Sequence, residues 1–158
     1  MSEREAMRMS AEEVATFLEQ GQKALVSTNG PDGWPHVVPL SYLFLDGQLA
    51  VWTDPNSQKV KNLRRDPRIT VLVEAGDRVE EFRAVHLCGR AEVIDDPSES
   101  VRAGEALLSR HAGGELPPEA VGYVAALAPH RVVVKVTVEK TVSWDHRKVM
   151  VDLQKVGS

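Results

Sequence analysis

Six apolar runs separated by short turn sequences constrain the fold of this chain more than any other feature. They cover residues 24–28, 34–45, 48–53, 69–74, 82–94 and 131–138. The last run is the clearest, because valines alternate with other residues from Val132 to Val138, which is the two-residue period of a strand. We predict a mainly β (α+β) fold, a closed antiparallel barrel of six strands with added helices, whose first three strands form a meander.

Helices are predicted around this barrel. Ser10 and Glu13 form a capping box that begins a helix ending near Gly21. A second helix is predicted from the Asp95-Asp96-Pro97 sequence to about residue 111, and Pro117-Pro118 begins another. With 158 residues the chain is expected to be one domain, 1–158, with its core at about residues 10–150.

A basic segment between two of the predicted strands begins at Ser57 and is expected to form a short helix. Val60 and Leu63 share its buried face, and Asp66-Pro67 ends it. Ser57 is predicted to cap the N-terminus, where free N–H groups and the helix dipole favour an anion. Lys59 in the first turn adds a charge-assisted contact to the same anion. Two interpretations are left open, a phosphate site and a solvated connector.

Composition excludes several classes of protein. The formal net charge of −4 argues against general nucleic-acid binding. The sequence contains no signal-peptide core and no apolar run long enough to span a membrane, so we expect no membrane partner. A single cysteine, Cys88, allows no internal disulfide, which is compatible with a reducing cytoplasm.

The histidines lack the paired spacing of a metal site, so no metal is predicted. They are His36, His86, His111, His130 and His146. His36 lies on the second strand, where it could contact a ligand or the solvent. His146 follows Asp145, which could orient its imidazole, or both residues could belong to an exposed turn. No side chain is assigned a catalytic role.

Four segments together resemble the flavin-binding split-barrel superfamily, the pyridoxamine-phosphate-oxidase-like proteins. They are Gly33 to Leu40, Trp52-Thr53, Lys59 to Pro67 and Thr141 to Lys148. The Lys-x-x-Asn-Leu-Arg-x-Asp-Pro helix and the Trp-Asp-His-Arg-Lys sequence are most similar to the actinobacterial branch that uses the deazaflavin coenzyme F-420. The resemblance covers about residues 10–150.

One difference from that family affects the choice of cofactor. Pyridoxamine phosphate oxidases proper carry Arg and Lys around the second strand to bind the FMN phosphate, and residues 36–42 here contain neither. The chain also lacks the usual substrate-binding segment after Lys148. Both differences disfavour oxidation of pyridoxamine phosphate, and they favour coenzyme F-420 over FMN as the cofactor.

The resemblance implies a homodimer with two cofactors in grooves at the subunit interface. The cofactor-binding residues it implies are His36, Val37, Val38, Pro39, Leu40, Ser41, Trp52, Thr53, Ser57, Lys59, Asn62, Arg64, Trp144 and His146. The function it implies is an F-420-dependent oxidoreductase that transfers hydride between the deazaflavin and a small acceptor such as an enone, quinone or tetrapyrrole. The alternatives are an FMN-binding oxidoreductase and a non-catalytic cofactor- or haem-binding protein.

Overall fold

A computed structural model describes residues 1–150 and contains seven strands and six α-helices in that range. The strands are β1 (Lys23–Asn29), β2 (Pro35–Ser41), β3 (Leu43–Leu45), β4 (Gln48–Thr53), β5 (Arg68–Ala75), β6 (Arg83–Ile94) and β7 (Val132–Asp145). The helices are α1 (Glu3–Ala6), α2 (Ala11–Gln20), α3 (Gln58–Arg65), α4 (Pro97–Ala112), α5 (Pro118–Leu127) and α6 (Arg147–Met150). The capping box of Ser10 and Glu13 is confirmed at the start of α2.

All seven strands belong to one sheet in the order β2-β1-β5-β6-β7-β4-β3, and every observed pair is antiparallel. β2 and β3 lie at opposite ends of this order, yet only Tyr42 separates them along the chain. A sheet whose two ends are joined by one residue must curl back on itself. The predicted antiparallel, barrel-like architecture is therefore confirmed.

The predicted number of strands was wrong, because the run 34–45 is interrupted at Tyr42. This side chain is fully buried, and its hydroxyl donates to the Leu18 carbonyl at 2.5 Å. Its backbone N–H donates to the Gln22 carbonyl at 3.3 Å, just before β1 begins. The predicted meander holds only as two hairpins, β1–β2 and β3–β4, because the break at Tyr42 puts β2 and β3 at opposite ends of the sheet.

The last strand is longer than its valine pattern indicated and continues to Asp145. Its register with β6 shifts between Cys88 and Gly89. A Cβ on Gly89 would lie 2.1 Å from the Thr137 carbonyl oxygen, so the close approach of the two backbones there requires glycine. Beyond this irregularity the alternation changes phase, and Val138 is exposed although it was predicted to share the buried face.

Two apolar clusters hold the structure together. The larger fills the curled sheet and includes residues of α2 and α3. The smaller packs α4 against β3, β4 and β7, with Ala103 and Val133 at its centre. Among residues 1–150, no helix is long and apolar enough to cross a membrane.

Candidate cofactor groove at strand β2 and helix α3

Within residues 1–150 one backbone edge of β2 is unpaired, because β2 is the last strand of the sheet beside β1. The Tyr42 N–H points toward the β1 side, where it reaches the Gln22 carbonyl. Backbone direction alternates along a strand, so the N–H groups of Val37 and Ser41 point the other way, to the free edge. The Pro39 nitrogen also faces the free edge, as expected for a residue that has no N–H to donate to a neighbouring strand.

The six predicted residues of β2 divide between two faces. His36, Val38 and Leu40 are partly buried, whereas Val37, Pro39 and Ser41 are exposed. His36 lies directly opposite Thr28 of β1, so these two side chains share the inner face. The His36 Nδ1 atom is buried and has no hydrogen-bond partner among residues 1–150.

Helix α3 packs onto the inner side of β1 through Val60 and Leu63, both buried as predicted. Between them Asn62 is completely buried. Its side-chain amide donates to Thr28 Oγ1 at 3.0 Å, and its Oδ1 accepts from Gln58 Nε2 at 2.8 Å. Asn62 was predicted as a cofactor-binding residue, and the structure gives its amide two protein partners.

The N-terminus of α3 is not capped by Ser57, so that part of the prediction was wrong. The Ser57 hydroxyl donates instead to the Asp54 carbonyl at 2.8 Å, because the chain turns tightly between β4 and the helix. The Ser57 side chain therefore accepts no hydrogen bond from the N–H groups of the first helical turn. Unsatisfied N–H groups at a helix start favour an anion, so the predicted anion contact would come from backbone groups rather than from a serine cap.

Lys59 lies in this first turn and is partly buried. Burial lowers the pKa of its ammonium group, and the nearby Asp54 carboxylate partly offsets the effect. Within residues 1–150 the ammonium makes no salt bridge or hydrogen bond. By contrast, Lys61 and Arg64 are exposed to solvent. A desolvated cation beside free helical N–H groups suits a phosphate, so the residues present fit the phosphate of a flavin-type cofactor.

Trp52 and Thr53 lie at the end of β4 and point to opposite sides. The Trp52 indole N–H donates to Ser100 Oγ of α4 at 2.8 Å, so this ring packs against the α4–α5 pair. Thr53 is buried on the other face. The Trp52 side chain therefore supports the helices, and its predicted position beside a cofactor ring stays a prediction for its backbone.

Trp144 lies well along β7 from the strand end that contains Trp52. Trp52 pairs with Val133, and the same strand continues for eleven residues to Trp144, about 35 Å of strand path. Of the two interpretations left open for His146, orientation of its imidazole by Asp145 was wrong. Asp145 accepts two hydrogen bonds from the Arg147 side chain, and His146 Nδ1 lies 2.7 Å from the Val79 carbonyl, to which it donates.

Sequence reasoning missed Thr28, the partner of Asn62. A signal was present, because Thr28 has the same phase as Ala24 and Val26, whose side chains face the core, and a polar residue in that phase requires a partner. A cavity of about 870 Å³ lies elsewhere, between α2, Phe44 and the end of α4. Residues 1–150 contain no group of three metal-ligating side chains placed to hold an ion.

A curled antiparallel sheet of this topology, with an edge strand and a basic helix at one side, defines the split-barrel superfamily of flavin and deazaflavin oxidoreductases. Residues 10–145 match the family model described as pyridoxamine 5'-phosphate oxidase, and the chain belongs to this family. No curated protein matches the sequence.

Solved structures are similar over most of the chain. The conserved hypothetical protein Rv2991 from Mycobacterium tuberculosis is 36% identical with a TM-score of 0.86, and the match covers 94% of this chain and 92% of that one. A FAD-binding protein from Mesorhizobium loti is 25% identical (TM-score 0.63; 85% and 94% covered). A protein described as an F-420 reductase is 24% identical (TM-score 0.59; 80% and 93% covered).

Proposed function

We propose that this protein is an F-420-dependent oxidoreductase that transfers hydride between the deazaflavin and a small organic acceptor such as an enone, quinone or tetrapyrrole. The observation that carries the proposal is the pairing of a single phosphate position, at Lys59 and the uncapped start of α3, with a β2 that has no Arg or Lys. FMN enzymes of the family use basic groups on that strand, and this chain offers none there.

The groups that would hold the cofactor come from backbone and side chains alike. The first-turn N–H groups after Ser57 and the Lys59 ammonium would bind the phosphate. The free N–H groups of Val37 and Ser41 would face the ring, where hydrogen bonds to its pyrimidine edge stabilise negative charge on the reduced form. The bound deazaflavin supplies the hydride chemistry, and the protein orients it and excludes water. No side-chain acid or base is assigned.

A homodimer would complete the site. On the outer face of the sheet, one lateral row runs through Pro39, Leu25, Leu72, His86 and Val142. Leu25 is 37% exposed and the neighbouring Val37 is 54% exposed. We propose this largely apolar row as the dimer surface, since contiguous exposed apolar groups mark interfaces. Dimerisation there would allow the partner subunit's Trp144 and the partner subunit's His146 to reach the groove.

Competing titrations test the choice of cofactor. Fluorescence titration with coenzyme F-420 and with FMN is expected to show tighter binding of the deazaflavin. FMN binding tenfold more tightly, about 1.4 kcal/mol, would reverse the assignment. This flavin alternative has its own support in the 25% identity to a protein described as FAD-binding.

A turnover assay separates the enzyme from a binding protein. Reduced coenzyme F-420 mixed with a panel of enones, quinones and tetrapyrroles is expected to be oxidised by at least one acceptor in the presence of the protein. Tight binding without oxidation of the cofactor by any acceptor would instead favour the non-catalytic alternative. We also propose a cytoplasmic location for the protein, which is compatible with its single cysteine.

A further inference from the structure

We infer that Asn62 is a positioning residue, which with Thr28 and Gln58 fixes the start of α3 and thereby the direction of Lys59. The inference rests on the proposed function, because it assumes that Lys59 meets the cofactor phosphate. It changes the role expected from the sequence, in which Asn62 itself touched the cofactor.

Asn62 and Thr28 are both buried, with 0% and 1% of their surface exposed. An amide in an apolar interior costs free energy unless it is hydrogen bonded, and both ends of this amide have partners at 3.0 and 2.8 Å. The amide is thus hydrogen bonded within the protein at both ends, to Thr28 through its nitrogen and to Gln58 through its oxygen.

The apolar contacts of α3 and the hydrogen bond of Asn62 restrain the helix differently. Val60 and Leu63 bury α3 by contacts that tolerate small rotations and shifts of the helix. The bond from Asn62 to Thr28 is directional and ties one face of the helix to one position on β1. Gln58 is the first residue of α3, so its bond to Asn62 extends the restraint to the turn that contains Lys59.

The direction of the Lys59 side chain depends on the helix that carries it, because Lys59 has no protein partner within residues 1–150 to hold it in place. Misplacement of a charged group by about 1 Å is enough to lower binding or rate strongly. Loosening Asn62 should therefore weaken phosphate binding through Lys59 and not through a contact of its own.

Variants at Thr28 test this without touching the cofactor, because the side chain is buried. Thr28→Val removes the acceptor while keeping the shape, and Thr28→Ser keeps the hydroxyl as the matched control. For the dimeric protein, Thr28→Val is expected to weaken coenzyme F-420 binding about three- to tenfold, and Thr28→Ser less than about twofold. In a Lys59→Ala background Thr28→Val should add less than about twofold, since two changes that act through the same phosphate contact are not additive.

Amide hydrogen exchange of the cofactor-free protein provides a second readout. Thr28→Val should speed exchange at the Lys61 amide, whose N–H donates to the Ser57 carbonyl at the start of α3, and Thr28→Ser should not. Unchanged exchange, or an equal loss of affinity with and without Lys59, would overturn the inference. If the wild-type protein bound neither coenzyme F-420 nor FMN, the proposed function would fail, and the exchange result alone would then decide whether Asn62 positions α3.

Discussion

The Trp52 indole N–H donates a hydrogen bond to the Ser100 hydroxyl at 2.8 Å, and that hydroxyl donates onward to the Ala128 carbonyl at 2.8 Å. One strand end, helix α4 and the turn after α5 are thereby connected through a single buried serine. The relationship places the α4–α5 pair against the end of β4, next to the loop that leads into α3.

Gly104 tests how tightly these helices pack on the tryptophan. A Cβ there would lie 2.7 Å from Val124 Cγ1 and 3.0 Å from the Trp52 ring. Gly104→Ala is expected to destabilise the protein by about 1–2 kcal/mol, because overpacking outweighs the gain in helix propensity. Gly122→Ala is the matched control on α5, where a Cβ meets nothing within 4 Å. It should raise stability by about 0.5–1 kcal/mol in urea unfolding.

Lys59→Ala is expected to weaken coenzyme F-420 binding by about 1.5–3 kcal/mol, the usual worth of a charge-assisted hydrogen bond. Lys61→Ala is the control, because that side chain is exposed on another face of α3. Fluorescence titration measures both, and thermal unfolding should change little in either variant. Equally small effects would mean that α3 is only a solvated connector.

Acid should weaken the contact between Asp46 and its cationic partners. Hydrogen bonds from Arg102 and then Lys135 lower the pKa of Asp46 to about 2 in the folded protein. A lowered folded-state pKa adds stability above the unfolded value of about 3.9, and that stability is lost as the pH falls toward 2. Asp46→Asn should therefore be less stable than wild type at pH 6, with a smaller difference at pH 2.5.

Asparagine suits this test because Asp46 has a φ of 53°, a left-handed conformation that asparagine tolerates. Asp77→Asn serves as the control, since Asp77 is exposed and makes no salt bridge within residues 1–150. Urea unfolding across this pH range measures the difference. A constant difference between wild type and Asp46→Asn would contradict an electrostatic origin.

Leu25→Glu should disrupt the proposed dimer, because it places a charge in the middle of the apolar row. Sedimentation velocity is expected to show a dimer for the wild type at micromolar concentration and a monomer for the variant, with weaker cofactor binding. Val121→Glu is a control of similar exposure on α5, 42% against 37%. A wild-type monomer that binds the cofactor at full affinity would rule out a shared site.

The sequence by itself determined most of the secondary structure. Its two-residue periods gave the strands, the Ser10 capping box gave the start of α2, and Val60 with Leu63 gave the buried face of α3. These features depend on local spacing, because side chains that must be buried together recur at the period of the element that carries them. The family resemblance, confirmed over residues 10–145, followed from the same local patterns.

Only the tertiary structure decided which groups meet. Tyr42 interrupts a continuous apolar run because its hydroxyl and N–H find partners at Leu18 and Gln22, both of which precede β1. Trp52 points to Ser100, Asn62 to Thr28, and Asp145 to Arg147 rather than to His146. The first two of these choices depend on contacts between distant parts of the chain. Spacing along the sequence cannot specify them, because it fixes the phase of a side chain and not the identity of its partner.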